Sequence, residues 1–188
     1  MRAFISINPD ESSKNKIYII QNEIKHLLDY NTINSIKWEE KDKFHLTLFF
    51  LGDITDRRAE IIIEALNHIN NDKIYKEIIF QSKLINAFPS LKNPRVLFVE
   101  LENADNQINH LYKDIIGVLA KCGFEPDKKF HAHITLGRVR RDRKVKLNNI
   151  EEKIFPDFQF IAKDFYLMES KMDRTGSTYK IIRRFDFD

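Results

Sequence analysis

The sequence of 188 residues contains a single cysteine, Cys122, and only five glycines and five prolines. One cysteine excludes a disulfide framework and a paired-cysteine zinc site, and it favours a reducing compartment, which we expect to be the cytoplasm. The glycine-rich motifs of dinucleotide and nucleoside triphosphate sites are absent from the sequence as well. No stretch approaches the roughly 20 apolar residues of a membrane span, and the N-terminal apolar run is too short for a signal peptide, so no membrane association is expected.

The overall composition is that of a globular protein, with 43% hydrophobic residues, 31% charged residues and a net charge of +3. These proportions exclude a disordered chain, a collagen and a coiled coil. A chain of this length can bury a substantial core, and no segment rich in proline, glycine or serine divides it. We therefore expect residues 1–188 to form one domain, and we expect the protein to be a monomer.

Hydrophobic periodicity alternates along the chain between strand-like and helix-like segments. Helices are predicted from Ser12 or Ser13 to Leu28, from Asp56 to Asn70, and from Asp105 to Cys122 with Gly123 ending the last one. Strands are predicted at 3–8, 44–51, 76–88, 95–101, 133–139, 158–169 and 177–187, with turns at 89–94 and 173–176. The polar residues 31–42 are expected to be irregular. This order predicts an α+β fold with mixed or antiparallel sheets, in two lobes, because a strand–helix–strand set before about residue 90 is repeated after it.

One short motif occurs in each half of the sequence. The segments His45-Leu46-Thr47-Leu48 and His133-Ile134-Thr135-Leu136 both read histidine, apolar, threonine, apolar on a predicted strand. Because side chains alternate along a strand, the histidine and the threonine share one face and the apolar pair faces the core. A single strand histidine is most often a hydrogen-bonded structural residue, but two such tetrapeptides are improbable by chance with only six histidines. We interpret them as a functional pair that an internal duplication would bring together in space.

Two histidines and two threonines suit acid–base chemistry at phosphorus. Imidazole titrates near neutral pH, so one ring can accept a proton while the other donates one, without a metal ion or a cofactor. The hydroxyls of Thr47 and Thr135 can hydrogen-bond the non-bridging oxygens of a phosphoryl group, whose attacking and leaving oxygens lie roughly in line. The pattern predicts a metal-independent phosphodiesterase, although it does not tell which histidine is the base.

The residues around the two motifs resemble a known family. The segments FHLTLFFLGD (Phe44 to Asp53), PRVLFVEL (Pro94 to Leu101) and FHAHITLGRVR (Phe130 to Arg140), with the opening MRAFISI, are similar to the 2H phosphoesterase superfamily. Within it they look like the RNA 2′,3′-cyclic phosphodiesterases, also known as 2′-5′ RNA ligases. The chain departs from the usual pattern at Ala132, where the family has proline, and at Phe49, where it often has lysine.

The resemblance implies a bilobal α+β fold with two pseudo-symmetric sheet-plus-helix lobes around a central cleft. It also implies His45 as proton donor, His133 as proton acceptor, and Thr47 and Thr135 as phosphate-binding residues. The implied reaction opens a 2′,3′-cyclic phosphate, at the end of an RNA such as a tRNA fragment or in a nucleoside cyclic phosphate, to give a 2′-phosphomonoester. The same site run backwards would join a 5′-hydroxyl to the cyclic phosphate through a 2′-5′ linkage.

Other residues are candidates for substrate contact. Phe44 and Phe130 lie next to the motifs and could stack on a base. Arg138 matches an arginine of the family, although on a regular strand it would lie on the face opposite to the second motif. The run from Arg138 to Lys146 holds six basic residues and one aspartate, and it is either a solvated loop or a contact for RNA phosphates near the cleft.

Three alternatives stay open at the level of sequence. His131 and His133 form a His-x-His pair that could bind zinc, although no cysteine or clearly placed carboxylate completes a site. The chain could be an RNA-end-binding module without turnover, against which the two intact motifs argue. It could also have another activity of the superfamily, such as trimming a spliceosomal RNA tail or hydrolysing a small cyclic nucleotide. The remaining histidines, His26, His68 and His110, lie on predicted helices and are expected to face solvent.

Overall fold

The computed structural model describes residues 1–71, 75–126, 129–172 and 176–187. The helices in these ranges are α1 (Glu11–Leu27), α2 (Tyr30–Ser35), α3 (Asp56–Asn71), α4 (Gln107–Lys121) and α5 (Ile150–Lys153). The strands are β1 (Arg2–Ile7), β2 (Ile36–Trp38), β3 (Leu46–Asp53), β4 (Ile78–Phe88), β5 (Val96–Glu102), β6 (His133–Val139), β7 (Gln159–Ala162), β8 (Asp164–Met172) and β9 (Ser177–Asp186). A short 3₁₀ helix at Lys41–Lys43 precedes β3. The predicted α+β class is confirmed.

The strands of the described ranges form one sheet in which all neighbours are antiparallel, in the order β7-β4-β5-β6-β3-β1-β8-β9, with β2 paired to β6. One lobe consists of β1, β3, β8 and β9, and the other of β4, β5, β6 and β7. The lobes meet where β3 lies beside β6, and in the described part of the chain a single residue pair, Leu46 with Ile134, joins these two strands. The predicted bilobal arrangement is confirmed, with the two motifs at the junction.

The three long helices cover one face of this sheet. Apolar residues at alternate strand positions and at helical spacing on α1, α3 and α4 form one buried cluster, which includes Ile5, Leu46, Leu97, Ile134, Ile17, Leu66 and Leu111. The helical periodicity seen in the sequence is therefore the periodicity of burial against the sheet. Since side chains alternate along a strand, the histidine and threonine of each motif lie on the opposite face.

The structure corrects the predicted start of α1. Its N-cap residue is Asp10 rather than Ser12 or Ser13, because the Asp10 carboxylate accepts a hydrogen bond from the backbone N–H of Ser13 at 2.8 Å. At the end of α4, by contrast, Gly123 follows the C-cap with a positive φ of 81°, as predicted.

Two other predicted segments differ from the structure. Residues 31–42, expected to be irregular, contain most of α2 and the strand β2, whose formation depends on pairing with the distant β6. The predicted strand at 158–169 is two strands, because the chain passes from one lobe to the other at Lys163, between β7, which pairs with β4, and β8, which pairs with β1 and β9. The predicted turn at 173–176 falls largely on residues 173–175, which lie outside the described ranges.

Candidate active site

The residue pair that joins the two lobes lies at the centre of both motifs. Continuing its antiparallel register by one residue in each direction sets His45 across from Thr135 and Thr47 across from His133. The two histidines then occupy diagonal positions on one face of the sheet, with the two threonines on the other diagonal. The structure therefore brings together the four polar side chains that the repeated motif singled out.

Each of the two imidazoles is held by a backbone carbonyl two residues before it. Nδ1 of His45 lies 2.7 Å from the carbonyl oxygen of Lys43, and Nδ1 of His133 lies 2.7 Å from that of His131. A carbonyl oxygen can only accept a hydrogen bond, so Nδ1 carries the proton in both rings. Nε2 is therefore the nitrogen of each ring that can exchange a proton with a bound molecule.

The ring of His45 is packed among aromatic side chains. Its centroid lies 5.1 Å from that of Phe4 and 5.2 Å from that of Tyr179. This burial lowers the pKa of His45 to about 4 from an ordinary value of 6.5; the backbone hydrogen bond opposes the shift, and the positive charges of Arg138 and His133 add to it. His45 is therefore neutral at pH 7 in the free protein.

The ring of His133 has a similar environment in the other lobe. It lies between Phe88 and Phe98, at centroid distances of 5.3 Å and 5.0 Å. Burial lowers the pKa of His133, the backbone hydrogen bond opposes this, and the charges of His131 and Arg138 lower the pKa further. Both lobes thus use the same two devices: the aromatic enclosure favours the neutral ring, and the backbone carbonyl holds the proton on Nδ1.

Arg138 lies on the same face as the second motif because β6 is irregular. In its pairing with β5 the register shifts by one residue after Thr135, which makes Leu136 an extra residue in a β-bulge. Side-chain alternation reverses beyond the bulge, so the prediction that Arg138 would face away from the motif is wrong. A matching irregularity at Leu48 in β3 places Phe50 at the position equivalent to Arg138.

The two lobes differ beyond these bulges. Strand β2 lies along β6, where Trp38 pairs with Gly137. A Cβ atom on Gly137 would lie 2.7 Å from Cγ2 of Ile36, so the absence of a side chain allows this close approach. Glu39 follows β2 directly; burial raises the pKa of its carboxyl group, and the positive charge of Arg138 opposes that rise. This side of the site is thus occupied by a strand and carries a carboxylate near a guanidinium.

On the β3 side, the surface at Phe50, which is the position equivalent to Arg138, opens into a cavity of about 590 Å³. Its lining includes Thr47 and His133 of the motifs, His131, the aromatic residues Phe50, Phe88, Tyr112 and Phe130, and the basic residues Arg95 and Lys129. The ring of Phe130 stacks on that of Tyr112 with 4.4 Å between centroids. A volume of this size with aromatic walls suits a nucleobase and its ribose.

Phe44 does not reach this surface. Its side chain is 1% exposed and belongs to the core cluster, so the prediction that it could stack on a base is wrong. Neighbouring residues on a strand face opposite sides, and the position of His45 on the open face could have indicated this. The prediction that His26, His68 and His110 face solvent is confirmed.

Sequence reasoning missed three residues of this region: Tyr179, Glu39 and Arg95. Tyr179 lies on β9 against His45, Glu39 lies near Arg138, and Arg95 lines the cavity. Each reaches the site through strand pairing between distant parts of the chain. Tyr179 and Glu39 belong to no repeated or otherwise recognisable motif, so the sequence held no signal for them. Arg95 lies in the segment from Pro94 to Leu101 that resembles the family, and this segment was the signal that could have found it.

His131 lies beside the site without a complete set of metal ligands around it. Its Nε2 is 3.8 Å from Oε2 of Glu100. Within the described residues, no group of three or more His, Cys, Asp or Glu side chains is arranged to hold a metal ion. In the same part of the chain, no helix is both long enough and apolar enough to cross a membrane.

Two histidine–threonine strands that face each other across the junction of two similar lobes define the class of 2H phosphoesterases. A family model described as LigT-like phosphoesterase matches the chain twice, over residues 7–98 and 99–179. The chain belongs to this family. The two matches correspond to the internal repeat that the motifs indicated.

Proteins similar to this chain along its whole length have been named for one activity. The RNA 2′,3′-cyclic phosphodiesterase of Thermotoga maritima is 30% identical over 190 residues, which cover 100% of this chain and 96% of the relative. The proteins of the same name from Methanocaldococcus jannaschii and Archaeoglobus fulgidus are 30% and 28% identical, and the alignments cover 97% and 99% of this chain and 99% and 100% of the relatives.

Solved structures share the fold. The crystal structure of TT0787 from Thermus thermophilus has a TM-score of 0.78 at 20% identity, covering 100% of this chain and 98% of the other. E. coli LigT complexed with 3′-AMP has a TM-score of 0.76 at 18% identity, covering 99% and 97%. At these identities the likeness establishes the bilobal fold and no more.

Proposed function

We propose that this protein hydrolyses 2′,3′-cyclic phosphodiester ends of RNA to 2′-phosphomonoesters, by acid–base catalysis with His45 and His133 and without a metal ion. The observation that carries the proposal is that the two imidazole rings are held in the same way. Each holds its Nδ1 proton on a backbone carbonyl 2.7 Å away and keeps Nε2 for proton exchange, on the same face of one sheet. The names of the relatives that match the whole chain support the substrate class.

In this reaction the two histidines act on opposite sides of the phosphorus atom. Nε2 of His133 takes a proton from a water molecule, whose oxygen forms the new bond to phosphorus. The bond from phosphorus to the 3′ oxygen breaks, and that oxygen receives the proton of His45 Nε2. Departure of the 3′ oxygen, and hence the 2′-phosphate product, follows from the family resemblance. The order of the histidines rests on the same resemblance.

The threonines and Arg138 are suited to bind the phosphate group. Thr47 and Thr135 lie beside the histidines across the junction, where their hydroxyl groups can donate hydrogen bonds to the non-bridging oxygens. Arg138 carries a positive charge on the same face, and hydrogen bonds from charged donors are about twice as strong as neutral ones. The phosphate would therefore lie between the two motifs, with its nucleoside in the 590 Å³ cavity beside His133.

Proton donation by His45 requires the substrate anion. Burial first, and then the charges of Arg138 and His133, hold the pKa of His45 at about 4, so the ring is neutral when the cleft is empty at pH 7. A bound phosphodiester brings one negative charge next to the ring and favours its protonated form. The free protein and the complex therefore differ in the charge of His45.

The same site can run in reverse. A 5′-hydroxyl in place of water would attack the cyclic phosphate and leave a 2′-5′ linkage. Water is present in large excess over any RNA end, so hydrolysis dominates in dilute solution.

The test is incubation of the protein with a nucleoside 2′,3′-cyclic phosphate in the presence of EDTA, with the product identified by phosphorus NMR. We expect steady turnover to the 2′-phosphate. A product that is mainly 3′-phosphate would contradict the regiochemistry, and a loss of activity restored specifically by zinc or manganese would contradict the metal-independent mechanism. Binding without turnover would show an RNA-end-binding module instead.

An analogue with sulfur in place of the leaving 3′ oxygen tests the order of the histidines. A thiolate leaves without protonation, so this substrate should restore activity to a His45→Ala variant and leave a His133→Ala variant inactive. Restoration of His133→Ala alone would reverse the two roles.

A further inference from the structure

A cluster of exposed basic side chains stands next to the cleft, where β6 ends and its following loop begins. We call Arg95, Arg140, Arg141, Arg143 and Lys144 the basic ridge; all five are exposed. Arg95 Nη1 lies 3.5 Å, 3.5 Å and 3.2 Å from the carbonyl oxygens of Arg140, Arg141 and Arg143. The Nε of Arg140 also donates to the carbonyl of Asn34 at 3.1 Å. The ridge is therefore a structured part of the surface rather than a loose charged loop.

The ridge is continuous with the wall of the cavity. Arg95 lines the cavity together with His133 and Phe130. From the other side, β6 runs from His133 through Arg138 to Val139, and Arg140 is the next residue. A chain of anionic groups that leaves the cavity past Arg95 would meet the ridge at once.

The positive charge of the ridge is local and mostly uncompensated. Residues 138–146 hold six basic residues and one aspartate, whereas the whole chain has a net charge of only +3, so the remainder is net acidic. Asp142 pairs with Arg143 at 3.5 Å, but these side chains are 76% and 60% exposed, and such pairs are weak. Within the described ranges, neither Arg141 nor Lys144 has a carboxylate oxygen within 4.0 Å.

Basic residues on the opposite side of the cleft, unlike Arg141 and Lys144, have carboxylate partners. A smaller cavity of about 200 Å³ next to His45 is lined by Lys14 and Lys43. Lys14 pairs with Glu11 at 3.3 Å and Lys43 pairs with Glu40 at 2.7 Å. Their charge is largely neutralised, so the field around the cleft attracts a polyanion toward the ridge rather than toward this side.

We infer that the basic ridge binds the backbone phosphates of the nucleotides that precede the cyclic end of a single-stranded RNA. The inference rests on the proposed function, because it places the terminal nucleoside in the cavity beside His133. The preferred substrate is then an oligonucleotide rather than a single nucleotide. Guanidinium groups, which form four of the five members of the ridge, bind phosphate oxygens in bidentate fashion.

The test compares two substrates that share one reacting end: a nucleoside 2′,3′-cyclic phosphate, and a single-stranded RNA of about ten nucleotides that ends in the same group. The variant is Arg141→Glu/Lys144→Glu, which leaves Arg95 and Arg140 to hold the loop. The matched control is Lys16→Glu/Arg57→Glu, with the same charge change at exposed positions of α1 and α3. Binding of the same RNA is measured in parallel by fluorescence anisotropy over a range of salt concentrations.

The ridge variant should lose about tenfold or more in kcat/KM on the RNA, mainly through KM, and show a weaker salt dependence of RNA binding, because each lost phosphate contact lowers the salt slope by about one. Its activity on the single nucleotide should stay within about twofold of the parent. The control should match the parent on both substrates.

Equal losses on both substrates, or no loss on either, would overturn the inference. If the parent protein turns over neither substrate, the proposed function fails, and the anisotropy measurement still decides: the ridge variant must bind the RNA more weakly than the control does. Competition by a polyglutamate peptide as strong as that by RNA of equal charge would assign the ridge to acidic peptides and also overturn the inference.

Discussion

The burial of His45 predicts a specific pH dependence of stability. The folded protein holds the pKa of this ring at about 4, first through burial among aromatic side chains, whereas the unfolded chain has the ordinary value of 6.5. Between these two values the unfolded chain binds more protons, so the stability that His45 contributes is complete above about pH 6.5 and falls as the pH is lowered toward 4.

The size of this effect follows from the two pKa values. One pKa unit corresponds to about 1.4 kcal/mol, so between about pH 7.5 and about pH 5 the free energy of unfolding should fall by at most about 2 kcal/mol on account of His45. A His45→Asn variant lacks this contribution, while its side-chain amide can still donate a hydrogen bond to the carbonyl of Lys43. The difference in stability between the two proteins should therefore change by that amount between the two pH values.

The assay is urea unfolding of both proteins at the two pH values, followed by circular dichroism. His110→Asn, at an exposed position on α4, is the control for the loss of an imidazole. A histidine NMR titration gives the same information directly, since the His45 ring should stay neutral at pH 5. A ring that titrates near 6.5, with no pH-dependent difference between parent and variant, would refute the argument from burial.

Four further substitutions test the other parts of the site and its surroundings. Thr47→Val and Thr135→Val should each weaken transition-state binding by about 1–3 kcal/mol, seen in kcat/KM for a cyclic phosphate, as expected for lost hydrogen bonds to a charged group; unchanged kinetics would remove them from the phosphate site. Phe130→Ala should raise KM with a smaller effect on kcat, since stacking contributes about 1–3 kcal/mol per base, and an unchanged KM would place the base elsewhere. Gly137→Ala should lower the unfolding free energy by about 1–3 kcal/mol, because its Cβ would overlap with Ile36 of β2; undiminished stability in urea would contradict this close packing.

The sequence predicted features that depend on local periodicity. The spans of α3 and α4 agree closely with the predicted ones, because each helix buries one regular face against the sheet. The span of β6 agrees as well, although the bulge at Leu136 interrupts its alternation. The prediction that an internal duplication brings the two motifs together in space is also confirmed, because the two motif strands lie side by side.

The features that were missed depend on partners far away in the chain. The bulge at Leu136 exists only in relation to β5, and it alone decides which face Arg138 occupies. Strand β2 forms because Gly137 leaves room for it on β6, and no periodicity within residues 31–42 indicates this. The break at Lys163 likewise reflects the passage between lobes. Local pattern thus indicates which residues are candidates, while long-range pairing determines which of them meet.

The central claim is that His45 and His133 act together as acid and base, and the most direct measurement is kcat on a nucleoside 2′,3′-cyclic phosphate for His45→Ala, His133→Ala and the double variant. Each single substitution should lower kcat by about 10²–10⁴-fold, and the double variant should be little worse than the poorer single, because the two groups act as one unit. Circular dichroism should show all three proteins folded, since the two rings lie on the face of the sheet opposite to the core. Near-full activity in either folded single variant would contradict the two-histidine mechanism and leave the repeated motif with a structural role.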